Sequence, residues 1–184
     1  EHTGTIGPAR MLPLEHASSD WILIIDDDER MDGLFPQLLS QLLTDARYTH
    51  YWFPSKWIVN LQPLEYVCAA PWFPDWHLRL FRNDKKLVWH TGRVHAGYQV
   101  MGMGSYDARV AVLHFERFRM TEAQRAEKVA RYRAAGSAGR CEEFYGSMEG
   151  HLRRKLEAPP PPRSELAPLR GRRRWILPGV HRVL

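Results

Sequence analysis

Trp21-Ile22-Leu23-Ile24-Ile25-Asp26-Asp27-Asp28-Glu29-Arg30 joins five apolar residues to four carboxylates without a break. An apolar run of this kind, rich in β-branched residues, reads as a strand covered on both faces, as in the interior of a parallel sheet. The acids then stand at the carboxyl end of that strand, where ligands bind in open α/β sheets. Clustered oxygen ligands there suit Mg²⁺ or Mn²⁺ together with a phosphate-bearing substrate. In an extended segment Asp26 and Asp28 point to one side and Asp27 to the other. The first two can therefore share a ligand that Asp27 cannot. The plainer reading is an acidic turn before a helix, because carboxylates favour helix N-termini. That reading accounts for one or two acids more readily than for a run abutting an apolar strand.

The segment from Asp20 to Arg30 resembles the strand and D-x-D segment of family 2 glycosyltransferases of the GT-A fold. A second block is Asp75-Trp76-His77-Leu78-Arg79-Leu80-Phe81-Arg82-Asn83, followed by Trp89 and Val94-His95. It is similar to the R-L-F-R … W … V-H-E block of the same enzymes. The two blocks stand in the family's order, and the resemblance spans roughly residues 9 to 135. Ala9-Arg10 and the residues up to Ser19 resemble the family's A-R-N helix, with Met11 where the Asn would stand.

The resemblance implies an α/β fold, a partial GT-A mixed sheet flanked by helices over residues 1–136. A helical, Pro- and Arg-rich extension would follow over 137–184. It also implies a fragment without the N-terminal half that binds the nucleotide. The implied activity is transfer of a sugar from a nucleotide-diphosphate donor to a hydroxyl of a saccharide, lipid or protein acceptor. A divalent cation, Mn or Mg, would assist by stabilising the leaving diphosphate. Asp28 would be the direct metal ligand. Asp26 would contact the ribose or the metal shell, and Glu29 would lie near the donor sugar.

A later histidine often completes such a metal site, and His95 and His114 are the two candidates. His95 matches the family block; His114 is its rival. Any single His is more often a packed side chain than a ligand. The acceptor hydroxyl needs a base within hydrogen-bond reach. The block's Glu is replaced here by Ala96, which leaves Asp75, Glu116 or His95 for that role. Arg79 and Arg82 could clamp an anion through their planar forks. Their odd spacing on a strand puts them on opposite faces, so only one enters a site; for Arg82 structural pairing is the better expectation. Trp72, Trp76 and Trp89 could stack on a sugar, although core packing is the commoner fate of such residues.

The 184 residues suffice for one domain with a real core. An apolar content of 44% and seven Trp argue against disorder. The 26 Lys and Arg outnumber 21 Asp and Glu. From Arg153 onward nine basic residues face only Glu157 and Glu165, which suits peripheral contact with an anionic membrane surface. No nucleic-acid motif accompanies them. Cys68 and Cys141 form no CxxC pair, which suits a reducing, cytoplasmic setting. No apolar run approaches the ~18 residues of a membrane span.

Further elements follow from pattern. Asp32-Gly33 opens a helix with Leu34, Leu38, Leu39, Leu42 and Leu43 on one face. Residues 48–59 read as one or two strands and 60–74 as a proline-interrupted loop. Residues 77–81 read as a strand, with Lys86 to Trp89 pairing back on it as a hairpin. Gly92, Gly97, Gly102 and Gly104 mark loops around His95, and Arg109 to Phe115 is a further strand. Thr121 and Gln124 form a capping box for a helix that runs to Ala135 and is stopped by Gly136. Another helix is expected between Arg140 and Glu157, then a polyproline linker at Pro159 to Pro162. Two other functions remain open: a metal-dependent phosphoesterase, which would need histidines close to the acids, and a non-catalytic basic binding module.

Overall fold

The computed structural model describes residues 6–90, 97–134, 144, 145 and 148–157. The elements in chain order are α1 (Ile6–His16), β1 (Trp21–Leu23), β2 (Glu29–Met31), α2 (Phe35–Thr44), β3 (His50–Leu61), β4 (Leu64–Val67) and β5 (Asp75–Arg82). They continue with β6 (Val88–His90), β7 (Tyr98–Val100), β8 (Gly104–Tyr106), β9 (Val112–His114), α3 (Glu116–Arg119), α4 (Glu122–Ala134) and β10 (Arg153–Lys155). The class is mixed α/β, a curled mixed sheet with a few helices.

The 12-residue β3 is the spine. Its first half pairs antiparallel with β5 and parallel with β8. Its second half pairs antiparallel with β4 and parallel with β9. Beyond these, β1 lies on β5, β2 on β9 and β10 on β4, all antiparallel.

Four buried clusters make up the core of the described residues, and two of them pack against α1 and α2. Tyr51, Phe53, Leu80, Val110 and Val112 pack on Phe35 and Leu42 of α2. Leu78, Phe81, Val88 and Tyr98 pack on Leu14 of α1. The expected leucine stripe is the core face of α2: Leu42 is buried, and Leu38, Leu39 and Leu43 pack beside it. Burying one such side chain contributes about 1.5–3 kcal/mol. The helix starts at Phe35, later than Asp32-Gly33, because Asp32 forms the preceding turn. Its Oδ1 accepts from the Leu34 N–H (3.1 Å) and its Oδ2 from the Ala111 N–H (2.9 Å).

Several sequence expectations need correction. The strand at Trp21 is neither interior nor parallel: β1 has three residues and pairs only with antiparallel β5 among the described residues. Its apolar side chains are partly covered on both faces, apart from Leu23, which is exposed. Trp21 packs into the α2 core, and Ile22 and Ile24 pack into the α1 core. A strand needs two covered faces to be apolar throughout, not two strand neighbours. The region 60–74 contains β4, since Leu64 to Val67 returns along β3. Lys86 to Trp89 does not pair back on β5; β6 pairs with β7 and buries Val88 and Tyr98. Arg153 to Lys155 is a strand on β4, not helix, so part of the expected extension joins the sheet.

The capping box holds. The Thr121 N–H donates to Gln124 Oε1 (2.8 Å) and the Gln124 N–H to Thr121 Oγ1 (3.3 Å). Gly92, His95, Ala96, Gly136, Cys141 and Pro159 to Pro162, with the basic residues after them, lie outside the described residues. Among the described residues no helix is long and apolar enough to cross a membrane.

Candidate functional site

Topology brings the acids to a crossing. After β1 the chain leaves the outer side of β5 and enters β2 on the outer side of β9. Residues 24–28 make that passage. The Ile24 N–H still bonds the Arg79 carbonyl (2.8 Å), and the Glu29 N–H closes a turn on the Asp26 carbonyl (3.0 Å). The acids are therefore on a turn, and strict side alternation does not apply to them. The separation of Asp27 from its neighbours holds for another reason: Asp27 reaches outward to Arg119 (2.5 Å) at an exposed position.

Asp26 and Glu29 share Arg79. The guanidinium Nη2 bonds Asp26 Oδ2 (3.2 Å) and, more closely, Glu29 Oε1. Arg79 and Glu29 are both buried, while the Asp26 side chain is half-exposed. Burial pushes the Glu29 carboxyl up, against the pull of the Arg79 charge. A second strand residue joins from the same face: His77 Nε2 lies 2.8 Å from Asp75 Oδ2 and its Nδ1 3.5 Å from Arg79. Asp75 is thus placed at the far end of a relay through His77. Arg82 faces away from these acids, as its spacing predicts, with Nε on the Tyr48 carbonyl and its head over the Trp21 ring.

Asp28 takes a different set of partners. The pairing of Glu29 with His114 across β2 and β9 sets Asp28 beside the end of β9, where its carbonyl accepts from the Phe115 N–H (2.8 Å). Asp28, His114 and Glu116 each offer a ligand atom, all within 4.8 Å of one another. His114 Nε2 is 3.5 Å from Asp28 Oδ2, and both side chains are largely buried. Burial raises the Asp28 carboxyl, and the neighbouring Asp26 raises it further. Burial lowers His114 to about 3, helped by the positive charges around it, so its imidazole is neutral and keeps a lone pair. Its ring packs edge-on against Trp57 at 4.1 Å.

Glu116 is 1% exposed. Its Oε1 is paired with Lys128 of α4, while its Oε2 has no hydrogen-bond partner among the described residues. His114 Nδ1 is likewise buried without one. Unpartnered buried polar atoms of this kind call for a ligand, water or ion. A neutral imidazole with two carboxylates is a donor set that Mn²⁺ accepts and Mg²⁺ tolerates. A small cavity beside Glu116 is lined by Trp57, Arg117, Arg125, Phe144 and Met148.

His114 lies beside Asp28, which fits it for the third-ligand position; His95 lies outside the described residues. Glu116, expected as a possible base, lies in the same cluster, which could hold a metal ion. The signal was in the sequence as His114-Phe115-Glu116, two ligand types two residues apart at a strand end. Trp72 is buried and donates its Nε1–H to the Phe144 carbonyl (2.9 Å), so it is a core residue and no sugar platform. Trp76 packs on Tyr106, and Trp89 is exposed. No family model matches the chain, and no curated protein matches it.

Proposed function

We propose that this chain carries the metal-binding and donor side of a family 2-like glycosyltransferase of the GT-A type. The observation that supports it best is the meeting of Asp28, at the strand-end acidic turn, with His114 and Glu116 within ligand distance of one another. A divalent cation, Mn²⁺ or Mg²⁺, held there would supply the positive charge that a departing nucleotide diphosphate requires. The other residues have separable tasks. Arg79 fixes the Asp26 and Glu29 carboxylates in place. Asp26, half-exposed, is free on one side to accept from a ribose hydroxyl. Asp75, oriented by His77, is the base for the acceptor hydroxyl. The test is release of nucleoside diphosphate from a panel of nucleotide sugars, with Mn²⁺ present and absent. Metal-dependent turnover that disappears in Asp28→Asn is expected. In a protein that joins this segment to a nucleotide-binding half, Mn²⁺ binding without turnover of any donor overturns the transferase reading.

One observation also favours a second reading. His114 stands beside Asp28, which meets the requirement of a metal-dependent phosphoesterase for a histidine near its acids. Hydrolysis of simple phosphomonoesters or phosphodiesters with no action on nucleotide sugars would select it.

A further inference from the structure

Lys128 is held more firmly than a helix-surface lysine usually is. Its ammonium pairs with Glu116, lies 4.6 Å from the Tyr145 ring centroid and reaches within 5.9 Å of that of Tyr132. Its side chain is 18% exposed. The helix that carries it, α4, buries no residue of its own. Arg125, Lys128, Val129 and Tyr132 are its partly buried residues. Tyr132 meets the Tyr145 ring at 6.3 Å, and the Lys128–Glu116 pair ties the helix to the chain just past the end of β9.

Glu116 belongs both to this pair and to the candidate metal triad. A divalent cation between Asp28, His114 and Glu116 and the Lys128 ammonium would draw on the same carboxylate. The two positive charges would also repel each other in a site largely shut off from water, where Coulomb forces are weakly screened. Without a metal, Lys128 balances a buried carboxylate that would otherwise be costly. With a metal, that balance is supplied twice.

We propose that Lys128 is the built-in counter-ion of the metal centre: it neutralises Glu116 when the metal is absent and yields when the cation enters, so that α4 loosens on metal binding. The proposal rests on the metal-centre reading above. It makes Lys128 a positioning residue that holds metal affinity down and ties it to the docking of a helix.

Mn²⁺ titration by calorimetry of the wild-type chain, Lys128→Met and Lys128→Arg tests it, with hydrogen exchange of α4 amides as a second readout. Lys128→Met removes the charge and keeps most of the apolar stem. It is expected to bind Mn²⁺ about ten-fold or more tightly than wild type, whereas Lys128→Arg stays near wild type. In the wild-type chain Mn²⁺ should speed exchange in α4, a readout that stands even if Lys128→Met does not fold. A folded Lys128→Met with equal or weaker Mn²⁺ affinity overturns the proposal and leaves the metal centre intact. So does α4 exchange in the wild-type chain that is unchanged or slowed by Mn²⁺. Absence of Mn²⁺ binding in both wild type and Lys128→Met overturns the metal centre itself.

Discussion

His114 Nε2 lies 3.5 Å from Asp28 Oδ2, although His114 ends β9 and Asp28 sits on the turn before β2, far apart in the chain. The contact follows from register. Glu29 is paired with His114 across β2 and β9, and the Asp28 carbonyl accepts from the Phe115 N–H. Two backbone pairings thus hold a carboxylate and an imidazole side by side before any ligand arrives. Pre-positioning of this kind lowers the ordering cost of binding a cation.

Removing either side chain should therefore cost metal affinity, and removing Asp27 should not. Asp28→Asn and His114→Ala are each expected to weaken Mn²⁺ binding by about ten-fold or more, measured by calorimetry. Asp27→Asn should stay near wild type, because that carboxylate is turned to Arg119 at the surface. Equal losses at Asp27 and Asp28 would refute the geometry.

Arg79 is the buried cation of the site, 7% exposed against 3% for Glu29. Arg79→Met leaves the Glu29 carboxylate buried without its partner, which costs about 3–5 kcal/mol when one side of such a pair is removed. Urea unfolding of the variant should show a loss in that range. The double variant Arg79→Met with Glu29→Gln should recover part of it. A loss under 1 kcal/mol (about the size of a surface ion pair) would mean that water reaches the pair.

His50 gives a pH signature away from the metal ligands. It is buried between Thr49 and Trp52, and burial lowers its pKa below the ordinary 6.5. A lowered folded value means that the neutral ring is favoured by folding. The associated stability is complete above 6.5 and is lost as pH falls toward the lowered folded value. Melting temperatures at pH 7.5 and pH 5, two conditions about one unit or more either side of a free imidazole, should fall less for His50→Gln than for wild type.

The same ring explains Gly104. A Cβ at that position would stand 2.2 Å from His50 Nε2. The buried imidazole has little room to retreat, so Gly104→Ala should destabilise by about 1–3 kcal/mol. Gly97→Ala, whose Cβ would meet nothing within 4 Å, is the matched control and should be near neutral.

Much of this was open to a reader of the chain alone. Period and chemistry settled a strand starting at Trp21 ahead of the acids, the leucine face of α2, the capping box at Thr121 and the opposed directions of Arg79 and Arg82. Each rests on neighbours within a few residues, where the backbone dictates side-chain direction. Tertiary structure alone decided what depends on contacts between distant segments. It put β1 at an edge, because two covered faces make a strand apolar whether or not it has two neighbours. It gave β6 to β7 and turned Arg153 to Lys155 into a strand on β4, because pairing partners are chosen by packing and not by proximity in sequence. It joined Asp28 to His114 and Glu116 and brought Lys128 to the same carboxylate. Residue types could nominate ligands, but only register could place them within reach of one ion.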